Sequence, residues 1–146
     1  MKRNFFIEIV CLVVVVLLFI NAFTSRTIPP TQTISVGGAL VSVEVADTIA
    51  SRTQGLSGRD SLGINSGLLF VFDEPEEVGI WMKDMKFPID IIWIDEEGVV
   101  IDVVEGATPE SYPTVYTPYR DATYVLEVNS GFASTHRIRS GTRVTF

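Results

Sequence analysis

The residues best suited to chemistry fall in one stretch, Trp81-Met82-Lys83-Asp84-Met85-Lys86-Phe87-Pro88-Ile89-Asp90-Ile91-Ile92-Trp93-Ile94. Aromatic faces beside lysines and carboxylates are the materials of a small-ligand cleft, because flat rings suit sugars and peptides while charges fix orientation. Trp81 and Trp93 could form its walls; alternatively both belong to the core, as Trp93 does if its strand is buried throughout. Extended geometry sets Trp81 and Lys83 on the face opposite Ile80 and Met82.

Two further groups add candidates. Arg52, Gly55, Leu56, Ser57, Gly58 and Arg59 form a helix end followed by glycines and two arginines, a setting in which planar guanidinium forks bind anions. The dipole at a helix C-terminus disfavours anions, so Arg59 would have to supply the attraction. The structural alternative has Gly55 as a helix stop and Arg59 bonded to carbonyls or to Asp60. Asp84, Asp90 and Glu127 form an acidic set: if they converge, two carboxylates could serve acid–base chemistry or hold a cation. Otherwise Glu127, which shares a face with Val125 and opposes Leu126 and Val128, lies on a solvated outer face or pairs with an arginine.

Several usual catalytic arrangements are missing from the 146 residues, and a Ser57–His136 pair is conceivable without a motif to support it. His136 is the single histidine, and there is no HExxH or CxxC, so no metal site built on several histidines and no cofactor is expected. Gly55-Leu56-Ser57-Gly58 falls short of a nucleophile elbow, since Arg59 stands where that motif needs glycine.

The positioning elements read as short strands. Leu40 to Val45, Gly67 to Phe72, Gly79 to Met82, Ile89 to Ile94, Val99 to Val104, Thr123 to Val128 and Thr142 to Phe146 carry β patterns. Asp95-Glu96-Glu97-Gly98 predicts a hairpin turn. Asp47 is placed to cap a short helix over Thr48 to Gln54 that stops at Gly55, and Ser130 to His136 reads as a helical turn. Gly106 to Asp121, with three prolines and three tyrosines, predicts a long irregular loop. No alternation of strands with helices suggests a parallel sheet. The expected fold is α+β, mostly β, an antiparallel barrel-like or sandwich domain with one or two short helices.

Ahead of this domain, Lys2 and Arg3 precede an apolar run from Phe5 to Phe23, 19 residues. Such a helix spans roughly 28 Å at about 1.5 Å per residue, near the thickness of the bilayer core. The basic flank puts the N-terminus in the cytoplasm and the rest across a membrane. An uncleaved anchor is the favoured reading over a cleaved signal, because Ala22-Phe23-Thr24 is a poor cleavage site. Residues 1–23 are thus the anchor, 24–35 an extended Pro-containing linker and 36–146 the exported domain. Cys11, the one cysteine, falls in the apolar run and leaves the domain without disulfides. From position 31 onward eight basic residues face seventeen acidic ones, a net charge of −9 that argues against nucleic acid or anionic lipid as a partner of the general surface.

The motif order Arg52-x-x-Gly55-Leu56-Ser57-Gly58-Arg59, Gly67-Leu68-Leu69-Phe70, Trp81-Met82-Lys83-Asp84-Met85, Pro88-Ile89-Asp90-Ile91-Ile92, Gly98-Val99-Val100 and Leu126-Glu127-Val128-Asn129-x-Gly131 resembles domain-of-unknown-function family 192 over about positions 36 to 146. The resemblance implies a compact, mostly β domain, often exported, and no particular reaction. Members more often show Leu-Met after the first glycine and Lys-Asn-Thr after Trp-Met; Ser57, Asp84 and Met85 depart from that pattern. The expectation is a membrane-anchored extracytoplasmic module that binds a small polar or saccharide-like ligand near Arg52, Arg59, Trp81, Lys83, Asp84, Asp90 and Glu127. The alternatives are a structural or protein-interaction domain, and a hydrolase or lyase using paired carboxylates.

Overall fold

A computed structural model describes residues 31–146. Its elements are β1 (Thr31–Val36), β2 (Ala39–Ala46), α1 (Ile49–Gln54), β3 (Ser66–Glu76), β4 (Ile80–Trp81), β5 (Ile89–Ile94), β6 (Val100–Ala107), a 3-10 turn (Pro109–Ser111), β7 (Val115–Tyr116), β8 (Ala122–Asn129), α2 (Phe132–His136) and β9 (Val144–Thr145). Seven strands form one sheet in the order β6-β5-β8-β3-β2-β1-β9, and β4 and β7 pair in a small separate ribbon. A bridge between Val99 and Arg143, with the Val144 N–H donating to the Gly98 carbonyl at 2.8 Å, links the two edges of the curled sheet. The barrel-like alternative therefore describes the domain better than a sandwich.

The expectation of an antiparallel sheet needs one correction. β2 and β3 run parallel, from Ser42 opposite Ser66 to Ala46 opposite Phe70, and α1 lies on the crossover between them. A parallel pair requires such a crossover, but α1 has six residues and buries none of them, so it leaves no helical apolar stripe in the sequence. Its cap also differs from expectation: Thr48, not Asp47, is the N-cap, in a reciprocal box with Ser51. Residues 31–35, read as linker, form most of β1 and pair with β2. The apolar segment 5–23 and Cys11 lie outside the described residues, among which no helix is long and apolar enough to cross a membrane.

Two cores result from the period-2 alternation of the strands. One fills the concave side of the sheet, with Ile34, Val41, Leu69, Ile92, Leu126 and Val144 drawn from strands across its width. The other packs the outer face of β3, β8 and β5 against their long connections, with Leu56, Phe70, Ile80, Met82 and Ile91 at its centre. The fully buried Trp93 belongs to this second core, and its indole N–H donates to the Val78 carbonyl at 2.9 Å. The outer face of the sheet is thus roofed rather than solvated, and this roof creates the candidate site.

The sheet is tight beneath it. Gly67 pairs with Val128, and a Cβ on Gly67 would approach the Glu127 carbonyl oxygen to 2.9 Å and Leu126 Cδ1 to 3.0 Å. Gly67→Ala is expected to lower stability by about 1–3 kcal/mol, since backbone on one side and packed side chain on the other leave little room to yield. A drop in urea midpoint without a change in the slope of unfolding is the expected observation.

Candidate functional site

The roof is held by hydrogen bonds from one motif to the backbone carbonyls of another. α1 stops at Gly55, whose φ of 52° suits glycine, and the chain turns through Leu56-Ser57-Gly58. The Ser57 hydroxyl donates to the Lys83 carbonyl at 2.9 Å, and the Gly58 N–H donates to the Asp84 carbonyl at 2.8 Å. Asp84 takes a left-handed φ of 56°, a conformation that Asp tolerates better than most residues. Two stretches that look like separate candidates in the sequence are therefore one structure. Asp84 serves it through its backbone, with an exposed side chain.

The arginines are largely committed. Arg59 makes a bidentate pair with Glu44, Nη1 to Oε1 at 2.6 Å and Nη2 to Oε2 at 2.8 Å. The hydrogen bond and charge of Arg59 hold the Glu44 carboxyl below its ordinary range. Glu44 escaped the sequence reading, although alternation along β2 set it beside Ser42 on the polar face. Asp60, which the sequence offers as a partner for Arg59, pairs with Lys86 instead. Arg52 donates from Nη1 to the carbonyls of Val71 at 2.6 Å and Asp47 at 2.9 Å, with its guanidinium 5.0 Å from the centre of the Phe72 ring.

Between α1, its following turn and the Ile80–Met85 segment lies a small cavity of about 80 Å³. Arg52, Leu56, Phe70, Ile80 and Met85 contribute to its walls, Trp81 stands at its mouth, and Glu127 forms part of its floor. Trp81 is 52% exposed, meets Tyr112 edge-on at 5.9 Å and has Lys83 Nζ 5.7 Å from its ring centre.

Glu127 is the unusual member. Alternation on β8 sets it on the same face as Val125, the outer one, but the face is not solvated as expected: the roof leaves the residue 5% exposed, and its Oε2 is buried without a hydrogen-bond partner. The residues opposite it on β3 and β5 are Leu68 and Ile91. Burial pushes its carboxyl up to about 8, against a smaller opposing pull from the Arg59 charge.

Asp90 does not join this site. It pairs across the sheet with Val128, the neighbour of Glu127, so the two carboxylates point to opposite faces. Asp90 is fully buried and accepts from three backbone N–H groups, those of Gly106 (2.8 Å), Gly131 (3.2 Å) and Ala133 (2.8 Å). The acidic set read from the sequence is therefore dispersed: Asp84 at the surface, Asp90 inside, Glu127 under the roof. Among the described residues no three His, Cys, Asp or Glu side chains gather as a metal-ligand set. His136 is exposed and packs against Phe132, ring centres 4.5 Å apart and planes tilted by 47°. A larger open groove of about 370 Å³ runs past Ile64, Asn129, Phe132 and His136. The Asn129 amide there is spent on the carbonyls of Leu62 and Gly63, so the groove offers no unmet buried group.

Comparison with known proteins gives a consistent result. The model of the family DUF192, described as Uncharacterized ACR, matches residues 32–146. The fold is similar to the crystal structure of a candidate transcription regulator from Sinorhizobium meliloti 1021, at 28% identity and a TM-score of 0.75 over 80% of this chain and 94% of that one. It is also similar to a protein of unknown function from Novosphingobium aromaticivorans DSM 12444, at 26% identity and a TM-score of 0.78 over 84% and 89%. No relative is found among curated proteins.

Proposed function

Because the chain belongs to the uncharacterised family DUF192, no reaction comes with its membership, and we propose that the domain is a binding or accessory module whose cleft over Glu127 takes a small polar ligand. One observation carries this reading: a carboxyl oxygen buried without a partner in the floor of a cleft with an exposed tryptophan at its mouth. A buried polar group left unsatisfied costs stability, and a ligand that meets it removes that cost. The cavity holds a few waters or one small functional group. A saccharide-like ligand would insert a single substituent and lay its ring against Trp81. The net charge of −9 from position 31 onward disfavours nucleic acid as the ligand. The apolar run at 5–23 and its basic flank support a membrane tether and an extracytoplasmic location for the module.

A thermal-shift screen of the full-length chain against small acids, amines, sugars and peptides tests the reading, with Trp81→Ala and Glu127→Leu alongside. Trp81→Ala is expected to change stability by no more than about 1 kcal/mol, since half of the ring is already in water. It is expected to weaken ligand binding at least about tenfold, through loss of the stacking face. A ligand that raises the melting temperature of the parent and of neither variant supports the cleft; equal shifts in all three, or no shift with any compound, defeat it.

A further inference from the structure

We propose that the group seated on Glu127 is the carboxylate of a small organic acid, a proposal that rests on the reading of this cleft as a ligand site. The space admits little more than such a group, with the remainder of the ligand left outside against Trp81 and Tyr112.

The surrounding charges favour an anion. Glu127 is the one acid and Arg52 the one base lining the cavity. Arg52 lines it from α1, the charge of Arg59 reaches Glu127 from outside the cavity, and Lys83 stands over the Trp81 ring at the mouth. Glu44 is turned to Arg59, and the flanking residues Leu68 and Ile91 are apolar. Burial keeps Glu127 protonated at neutral pH, so its hydroxyl is a donor that needs an acceptor. A ligand carboxylate supplies one in a short, charge-assisted O–H···O⁻ bond. An ammonium group would require Glu127 to lose that proton and would then meet Arg52.

Isothermal calorimetry on the full-length chain in detergent micelles tests the assignment, with acetate, propionate and lactate set against ethylammonium and acetamide between pH 6 and pH 9. The carboxylates are expected to bind, with an affinity that falls about tenfold per pH unit above about 8 as Glu127 ionises and repels them. Glu127→Gln retains a donor and should bind acetate within a few-fold of the parent at pH 7, with a flat pH profile. Glu127→Leu should stay folded by circular dichroism and lose the carboxylates. Binding of ethylammonium or acetamide that depends on Glu127, without carboxylate binding, overturns the ligand class and leaves the cleft reading standing. No Glu127-dependent binding in any of the three classes overturns both.

Discussion

Glu127→Gln should make the protein more stable at neutral pH by about 3 kcal/mol, and by about 5 kcal/mol above pH 8. The cause is the burial that lifts the folded-state carboxyl from its ordinary 4.5 to about 8. Below pH 4.5 both folded and unfolded chains hold the proton, and the acid costs nothing through ionisation. Between the two values the unfolded chain releases the proton and the folded chain keeps it, so stability falls steadily as pH rises. Above about 8 both are ionised and the loss levels off. Glutamine has nearly the same shape and no proton to lose, so its unfolding free energy should be flat across that range and should meet the parent's near pH 4. Urea denaturation at pH 4.5, 7 and 8.5 measures the difference directly. A parent whose midpoint does not move with pH would show that water or a relaxed side chain solvates the carboxyl, and the unmet oxygen in the cleft floor would lose its significance. A β strand gains nothing from such an acid between Leu126 and Val128, so the cost points to a task other than folding.

Asp90→Ala should have the opposite effect, a loss of about 3–5 kcal/mol. Three backbone N–H groups end on this carboxylate, from Gly106 at the register shift near the end of β6 and from Gly131 and Ala133 at the start of α2. Alanine leaves these donors without their acceptor and opens a hole beside the concave core. Asp90→Asn keeps the shape and one acceptor oxygen, and should cost about half as much. Both variants should lower the urea midpoint while leaving acetate affinity unchanged in the fraction that remains folded. A variant that folds normally but has lost acetate binding would return Asp90 to the list of site residues.

How far the sequence could lead differs between these two acids for a physical reason. Local alternation is enough to put Glu127 on the face opposite Leu126 and Val128, and to separate Trp81 and Lys83 from Ile80 and Met82. It cannot say that the outer face of β8 is covered, because most of the roof, from Leu56 to Met85, comes from residues more than 40 positions before Glu127. Nor can it assign Asp90, whose partners are 16, 41 and 43 residues away. The hairpin around Asp95–Gly98 was legible because turn and strands are contiguous: the Val99 N–H donates to Asp95 Oδ1 at 2.8 Å, and Gly98 takes a φ of 74°. β1 was hidden by Pro29-Pro30 and the threonines beside it, which have the composition of a tether. The parallel pairing of β2 with β3 was hidden by the polar α1 between them. Arg59 was singled out for its chemistry, yet its partner depends on a turn bringing it back over β2.

The joining of the sheet's two edges has a kinetic consequence. β9 makes this closure: Arg143 bridges to Val99, 44 positions earlier, while Ser35 pairs with Thr145 and Val36 with Val144, about 110 positions apart. Closing a loop of that length sacrifices chain entropy before the contact returns any stability. Topologies dominated by distant pairings reach their native state in milliseconds to seconds rather than microseconds. The pairing of its first strand with its last is therefore expected late in assembly, and until β9 docks the concave core is open along one side.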